Sequence, residues 1–173
     1  MKLYNDWDSA RAGEEAERLN AALAYMMAEK ANSVAADPGD GPGLTTFDMG
    51  DYKICGSLAI PAIQIELAVI SEWSYDRLKV SACRYYGTPD TQMMIMAHNY
   101  NKHFGRLNRL AIGDAVVFTD LDGREYAYRV SGSELWATDQ LKEAVAGDDW
   151  NLTLFTCTYG GKNRVVVRCV SIN

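Results

Sequence analysis

Thr153-Leu154-Phe155-Thr156-Cys157-Thr158 ends an apolar run on a cysteine, and Tyr159-Gly160-Gly161-Lys162-Asn163 turns the chain into Arg164. Residues 152–156 and 164–170 read as two strands joined through the Gly-Gly turn. Cys157 then stands where one strand gives way to the turn, and Arg164 opens the next. Upstream, Met93-Met94-Ile95-Met96-Ala97 is another apolar run, and it ends on His98. A thiol, an imidazole and a guanidinium, each at a strand end, are the parts of a cysteine acyl-transfer site.

The chemistry gives each part a task. A thiolate is the nucleophile, so its neighbours must favour negative charge, and an imidazolium and a guanidinium both do so. Acyl transfer needs one group to attack the carbonyl, one to protonate the leaving amine and one to hold the oxyanion. Cys157 fits the first task and His98 the second. Arg164 fits the third, or it anchors the substrate backbone; an arginine stays protonated at neutral pH, so its part is electrostatic and geometric. His103 competes with His98, but it precedes Phe104-Gly105 in a segment that reads as a turn or short helix. Arg168 competes with Arg164, and residues four apart share one face of a strand. Spacing does not separate the two arginines; nearness to the turn after Cys157 favours Arg164.

Outward from this stretch, short strands dominate. Residues 53–60 and 63–70 read as a strand pair around Pro61, with Ile63, Ile65, Leu67 and Val69 on one side and Gln64 and Glu66 on the other. Residues 92–97 read as a strand buried on both faces. Residues 115–119 and 125–131 flank Asp122-Gly123, a strong hairpin signal. Residues 74–80 read as a helical turn, 103–110 as a short helix or turn, and 138–146 as a short helix closed by Gly147. Residues 5–31 read as a long helix capped by Asp6 or Asp8, with Ala12, Ala16, Leu19, Leu23, Met26 and Met27 forming an apolar stripe. That stripe is expected to pack on the strands, and Gly13 to weaken the first turns. Residues 32–50, with Pro38, Gly39, Gly41, Pro42 and Gly43, read as a linker or surface loop. The whole is mostly β with peripheral helices, a small closed or sandwiched architecture.

The chain has 173 residues, which suits one domain with a sizeable core. Its net charge of −6 argues against nucleic acid and against an anionic membrane surface as the main partner. The longest apolar stretch, residues 21–28, falls far short of the ~20 residues that span a bilayer, and no signal peptide is visible. Cysteines at 55, 83, 157 and 169 form no CxxC pair, which argues against zinc. Cys55, Cys83 and Cys169 read as buried thiols packing as small hydrophobes; sequence alone does not choose among the three possible pairings. Asp148, Asp149 and Glu134 lack the spacing of a calcium loop and read as solvated charge. No cofactor and no metal is called for. Trp136 and Trp150 are aromatics that either line a groove or simply pack.

The pattern Thr-Leu-X-Thr-Cys followed by a strand-borne arginine resembles the signature of sortases, the cysteine transpeptidases of Gram-positive cell surfaces. The segment from Ala97-His98-Asn99-Tyr100-Asn101-Lys102-His103 to Phe104-Gly105-Arg106-Leu107 resembles their histidine segment, and Gly113-Asp114-Ala115-Val116-Val117-Phe118-Thr119-Asp120 follows it as in many members. Ile60-Pro61 after Gly56-Ser57-Leu58-Ala59 resembles the family's early strand pair. Trp73-Ser74-Tyr75, Cys83-Arg84-Tyr85 and the opening Tyr4-Asn5-Asp6-Trp7-Asp8 with Arg11-Ala12-Gly13 are similar to class B sortases.

The resemblance implies an eight-stranded barrel over residues 51–173, with residues 1–50 as an N-terminal helix and linker packed on it. It implies a thioacyl intermediate on Cys157, formed with a C-terminal sorting motif of a secreted protein. An amine of the cell wall or of a pilin would resolve it, with His98 taking the proton. It further implies Thr158 as a backbone oxyanion donor and Thr156 as a contact for the substrate threonine; Tyr100, read as a substrate-binding residue, is like Trp136 and Trp150 an aromatic that either lines a peptide groove or packs. It places the protein on the extracellular face of the plasma membrane or in the cell wall. Family members normally carry a membrane anchor; none is visible in this chain, which reads as the soluble portion. Two other readings stay open, a cysteine peptidase that releases peptides to water and a silent peptide-binding barrel.

Overall fold

The computed structural model describes residues 2–32, 44–140 and 147–172. Its elements are α1 (Lys2–Asn32), β1 (Phe47–Asp48), β2 (Lys53–Ile60), β3 (Ile65–Ile70), α2 (Tyr75–Leu78), β4 (Ala82–Gly87), β5 (Met93–Met96), β6 (Ala115–Asp120), β7 (Glu125–Ala137), β8 (Leu152–Cys157) and β9 (Asn163–Ser171). The strands run in the order β1-β2-β3-β4-β5-β8-β9-β7-β6, and β6 pairs back onto β2. That last pairing closes β2 through β9 into an eight-stranded barrel. Pairs β3–β4 and β5–β8 are parallel, and the others are antiparallel.

Closure gives every strand an inner face, and period-two alternation fills it. Leu58, Ile60, Ile65, Leu67, Val69, Met93, Ile95, Phe118, Val130, Leu152, Leu154 and Val167 form the barrel interior. The outer face is covered unevenly. On β3, Ala68 and Ile70 are also buried, because Leu19 and Leu23 of α1 lie over them. The alternation read from sequence therefore holds only for the first half of β3, where Glu66 stays exposed.

The apolar stripe of α1 does what its spacing predicts: Ala12, Ala16, Leu19 and Leu23 are each buried. Two polar contacts then set its register. The Asn20 amide donates to the Glu66 carbonyl at 2.6 Å and accepts from the Ala68 N–H at 2.6 Å, so it occupies backbone groups of β3 as a strand would. Nearer its start, Gly13 has a use beyond any loss of helix propensity: a Cβ there would lie 2.4 Å from Lys102 Cδ. The bare glycine lets Lys102 lie across the helix to Glu17, at 2.7 Å.

Other expectations meet local differences. Residues 61–63 form a 3-10 turn between β2 and β3, and Gln64 ends it in a left-handed conformation with φ 54°. β7 runs to Ala137, past the expected end at 131, after a register shift between Val130 and Gly132. The loop before β2 supplies β1, a two-residue strand pairing Phe47 with Ile54. Of the helix expected at 138–146, residues 138–140 form a 3-10 turn, and 141–146 lie outside the described residues, as do 33–43 of the linker. No helix among the described residues is long and apolar enough to cross a membrane.

Candidate active site

β5, β8 and β9 lie side by side, and their registers set rows of residues across the outer face. In the parallel pair, Met94 faces Thr153 and Met96 faces Phe155. In the antiparallel pair, Thr153 faces Arg168, Phe155 faces Val166, and Cys157 faces Arg164. Leu152 and Leu154 point into the barrel, so Thr153, Phe155 and Cys157 point out of it. Two rows are thereby complete, Met94-Thr153-Arg168 and Met96-Phe155-Val166. The next lies at the strand ends: Cys157 and Arg164 directly opposite each other, with His98 two residues past Met96 on the β5 side. Opposed residues in an antiparallel pair bring their Cβ atoms to about 4.5–5.5 Å.

Side-chain bonds hold this end of the sheet together. Thr156 points inward, is 4% exposed, and donates its hydroxyl to the Ala97 carbonyl at 2.8 Å. It thus ties β8 to the residue before His98. The hydroxyl expected to meet a substrate threonine is spent on this tie. Beyond Cys157, Thr158 N–H donates to the Asn163 carbonyl at 2.9 Å, and Asn163 N–H donates to the Thr158 hydroxyl at 3.1 Å. The backbone donor expected for the oxyanion is occupied by this turn. Gly160 and Gly161 complete the turn at φ +91° and +74°, values that residues with a Cβ rarely adopt. Arg164 Nη1 donates to the Gly161 and Asn163 carbonyls, both at 3.1 Å, so the turn steers the guanidinium by one nitrogen.

Burial sorts the four cysteines, all of which are free thiols. Desolvation pushes Cys55, Cys83 and Cys169 up to about 12. Cys157 alone is partly exposed. The two histidines differ in the same way. His103 is fully buried, and desolvation, aided by His98, lowers its pKa to about 4. His98 is half-buried; desolvation lowers it too, with Lys79 acting the same way and Asn99 and Asp8 opposing. Its ring stacks on Tyr100, centroids 3.9 Å apart and planes 18° apart. Tyr100 is only 6% exposed, so most of its ring meets protein rather than a groove.

The second arginine is held quite differently. Arg168 Nη1 donates to the Thr153 hydroxyl at 2.6 Å, and the guanidinium lies 4.7 Å from the Trp150 ring centre and 5.2 Å from that of Trp136. Trp150 is a core residue at 1% exposure. An apolar shelf, scarcely legible in sequence, runs away from Cys157. Phe155 meets Tyr85 edge-on at 5.3 Å, and Tyr85 meets the exposed Trp73 at 5.6 Å, with Met96 packed alongside. Alternation in β5 marked Met94 and Met96 as a second face; the folding of Trp73 and Tyr85 onto that face is a tertiary fact. No group of three metal-ligating side chains occurs among the described residues.

Comparison with known proteins agrees with this geometry. A family model described as the sortase domain matches residues 58–172, essentially the barrel. Sortase C from Clostridium perfringens SM101 is 25% identical, covers 92% of this chain and 90% of its own, and superposes with a TM-score of 0.62. Sortase C1 from Streptococcus agalactiae is 21% identical, with 90% and 88% covered and a TM-score of 0.67. Clostridium perfringens sortase C, solved with its C-terminal cell wall sorting motif, is 22% identical, with 100% and 91% covered and a TM-score of 0.64. Among curated proteins there is no match. All three structures are sortases C by name, and the class B likeness of the quoted segments gains no support from them. With the family model spanning the barrel and its strand-end cysteine, this chain belongs to the sortase family.

Proposed function

We propose that the chain is a cysteine transpeptidase in which Cys157 attacks the peptide carbonyl of a sorting motif. The sulfur bonds to carbon, and the carbonyl electrons move onto oxygen beside Arg164. Collapse of this intermediate breaks the C–N bond, and His98 hands its proton to the departing amine. The resulting thioacyl bond is attacked by a primary amine of the cell wall or a pilin. His98 takes the amine's proton, a new amide forms, and Cys157 leaves as thiolate. The observation that carries this reading is the facing pair Cys157–Arg164 at the end of β8 and the start of β9, with His98 two residues past the end of the adjacent β5.

The arginine is the oxyanion partner because Thr158 N–H is already bonded within the turn. The substrate is the C-terminal sorting motif of a secreted protein, laid along the shelf of Phe155, Met96, Tyr85 and Trp73. The Clostridium perfringens sortase C solved with such a motif supports that class of ligand. Such an enzyme works at the Gram-positive cell surface, on residues 51–173 as its catalytic unit. The matched structures, sortases C, D and A by name, give class B no support.

The test is mass spectrometry of the protein after exposure to a library of sorting-type peptides. An acyl adduct on Cys157 that is released to an added amine as a new amide is expected. Release only to water, with amine present, would mark a peptidase instead. No adduct with any peptide would leave a peptide-binding barrel.

A further inference from the structure

A catalytic imidazole is usually fixed by a hydrogen bond on the nitrogen that does not react. His98 lacks one on Nδ1, which is buried and meets no hydrogen-bond partner, so a hydrogen bond from its neighbour Asn99 does not fix that edge of the ring. An aromatic face stands there instead. The Tyr100 ring lies nearly parallel to the imidazole, 3.9 Å away at 18°, closer than the ~4.5–7 Å usual between aromatic ring centres.

Tyr100 is itself held from several sides. Its carbonyl accepts from His103 N–H and Gly105 N–H, each at 2.9 Å, and Phe104 N–H closes the turn onto the His98 carbonyl at 3.0 Å. Gly105 makes that turn possible, since a Cβ would lie 2.5 Å from the Asn99 oxygen and 2.7 Å from the Tyr100 oxygen. Beneath, the Tyr100 ring meets His103 at 5.5 Å, and His103 faces the backbone of α1 at Ala12. Lys102, in the same turn, is pinned to Glu17 of α1. The stack therefore rests on a turn clamped between the barrel and α1.

We propose that Tyr100 is the positioning residue of the catalytic histidine, setting the plane of the His98 ring by stacking where a hydrogen bond would otherwise set it. The idea rests on the transpeptidase reading only in calling His98 catalytic; the stack can be tested without turnover. Nδ1 is closed off, so proton transfer falls to Nε2. The stack also excludes water from one face of the imidazole, which disfavours the imidazolium. The charged and titratable groups facing His98 are Asp8 from α1, Lys79 after α2, and His103 and Tyr100 from its own turn.

The chain has only two histidines, so imidazole NMR resolves both. In the unaltered protein, His98 ring protons should be shifted upfield by the Tyr100 ring current and show cross-peaks to it. Absence of both would overturn the proposal without any variant. Tyr100→Phe should keep these signals and the lowered titration of His98. Tyr100→Met, which keeps apolar bulk without a ring face, should lose the upfield shift and move the midpoint of His98 up towards 6.5. Tyr100→Leu repeats the test if the Met variant does not fold. Wild-type His98 lines in a folded Met or Leu variant would make Tyr100 mere packing. Loss in Tyr100→Phe equal to that in Tyr100→Met would assign the effect to the hydroxyl. Either result overturns the proposal, and neither depends on finding the sorting motif.

Discussion

Two rows on the outer face of β5, β8 and β9 differ in what covers them. The lower one is Met94, Thr153 and Arg168; four residues along each strand stand His98, Cys157 and Arg164. Both have a small polar residue of β8 facing an arginine of β9. In the lower row the arginine is bonded to Thr153 and flanked by Trp150 and Trp136. At the strand ends Trp136 of β7 stands opposite Arg164 but its ring reaches the Arg168 guanidinium, while Arg164 turns to the Gly161 and Asn163 carbonyls and Cys157 keeps partial exposure. The same pairing of a small polar residue with an arginine is bonded and packed on two indoles in one row, and at the strand ends it leaves the thiol partly exposed.

That comparison breaks most sharply at the nucleophile. Cys157→Ala should fold normally and form no acyl adduct, and a thiol reagent should no longer label the native protein. The other three thiols are buried and held at about 12. Adduct formation or turnover near the wild-type rate in this variant, followed by mass spectrometry and peptide cleavage, would remove Cys157 from the site.

The next effect is at the histidine. Loss of a general acid costs ~10²–10⁴-fold, so His98→Ala should fall within or beyond that range in cleavage rate. His103→Ala should keep most activity while losing stability, because its buried ring fills space beside Tyr100. The reverse ranking would move the acid role to His103.

The two arginines give the most direct test of the two rows. Removing one oxyanion donor costs about 10²–10³-fold, and lysine keeps charge without the planar fork. Arg164→Lys should therefore lose on the order of 10²-fold in kcat with little change in melting temperature. Arg168→Lys should do the opposite: it weakens contacts to two indoles, worth ~0.5–2 kcal/mol each, and leaves the catalytic rate nearly intact. A larger rate loss from Arg168→Lys, with both variants folded, would pass the electrostatic role to the lower row.

A last effect concerns pH and stability rather than catalysis. His103 is buried neutral, with its pKa lowered from 6.5 to about 4. The unfolded chain binds a proton there below pH 6.5 that the folded chain refuses until about 4. Stability should thus be fully present above 6.5 and fall as pH drops towards 4, by about 3 kcal/mol from this group. Half-buried His98 adds a smaller drop of the same sign. Urea denaturation across this range should show the decline, and His103→Phe should flatten it. An unchanged slope in His103→Phe would mean that His103 is not buried neutral.

Much of this molecule was legible in its residues. Apolar runs ending on His98 and on Cys157 marked two strand ends, the Gly-Gly turn joined β8 to β9, and the stripe from Ala12 to Leu23 made α1 a packed helix. These signals are local, because strand alternation, turn conformation and helix periodicity act within a few residues. Three other things were decided only by tertiary structure. The parallel pairing of β5 with β8 connects residues some sixty positions apart in sequence, and no local pattern encodes such a register. Thr156 and Thr158 looked available for substrate, yet their hydroxyl and N–H are spent on partners that the closed barrel and the turn bring to them. Arg164 and Arg168 were equivalent by spacing; they became different when the Arg168 guanidinium lay against the Trp136 and Trp150 rings while that of Arg164 turned to the Gly161 and Asn163 carbonyls. Periodicity tells which way a side chain points, but cover comes from elements distant in the chain, and cover separates the partly exposed Cys157 from the three buried thiols.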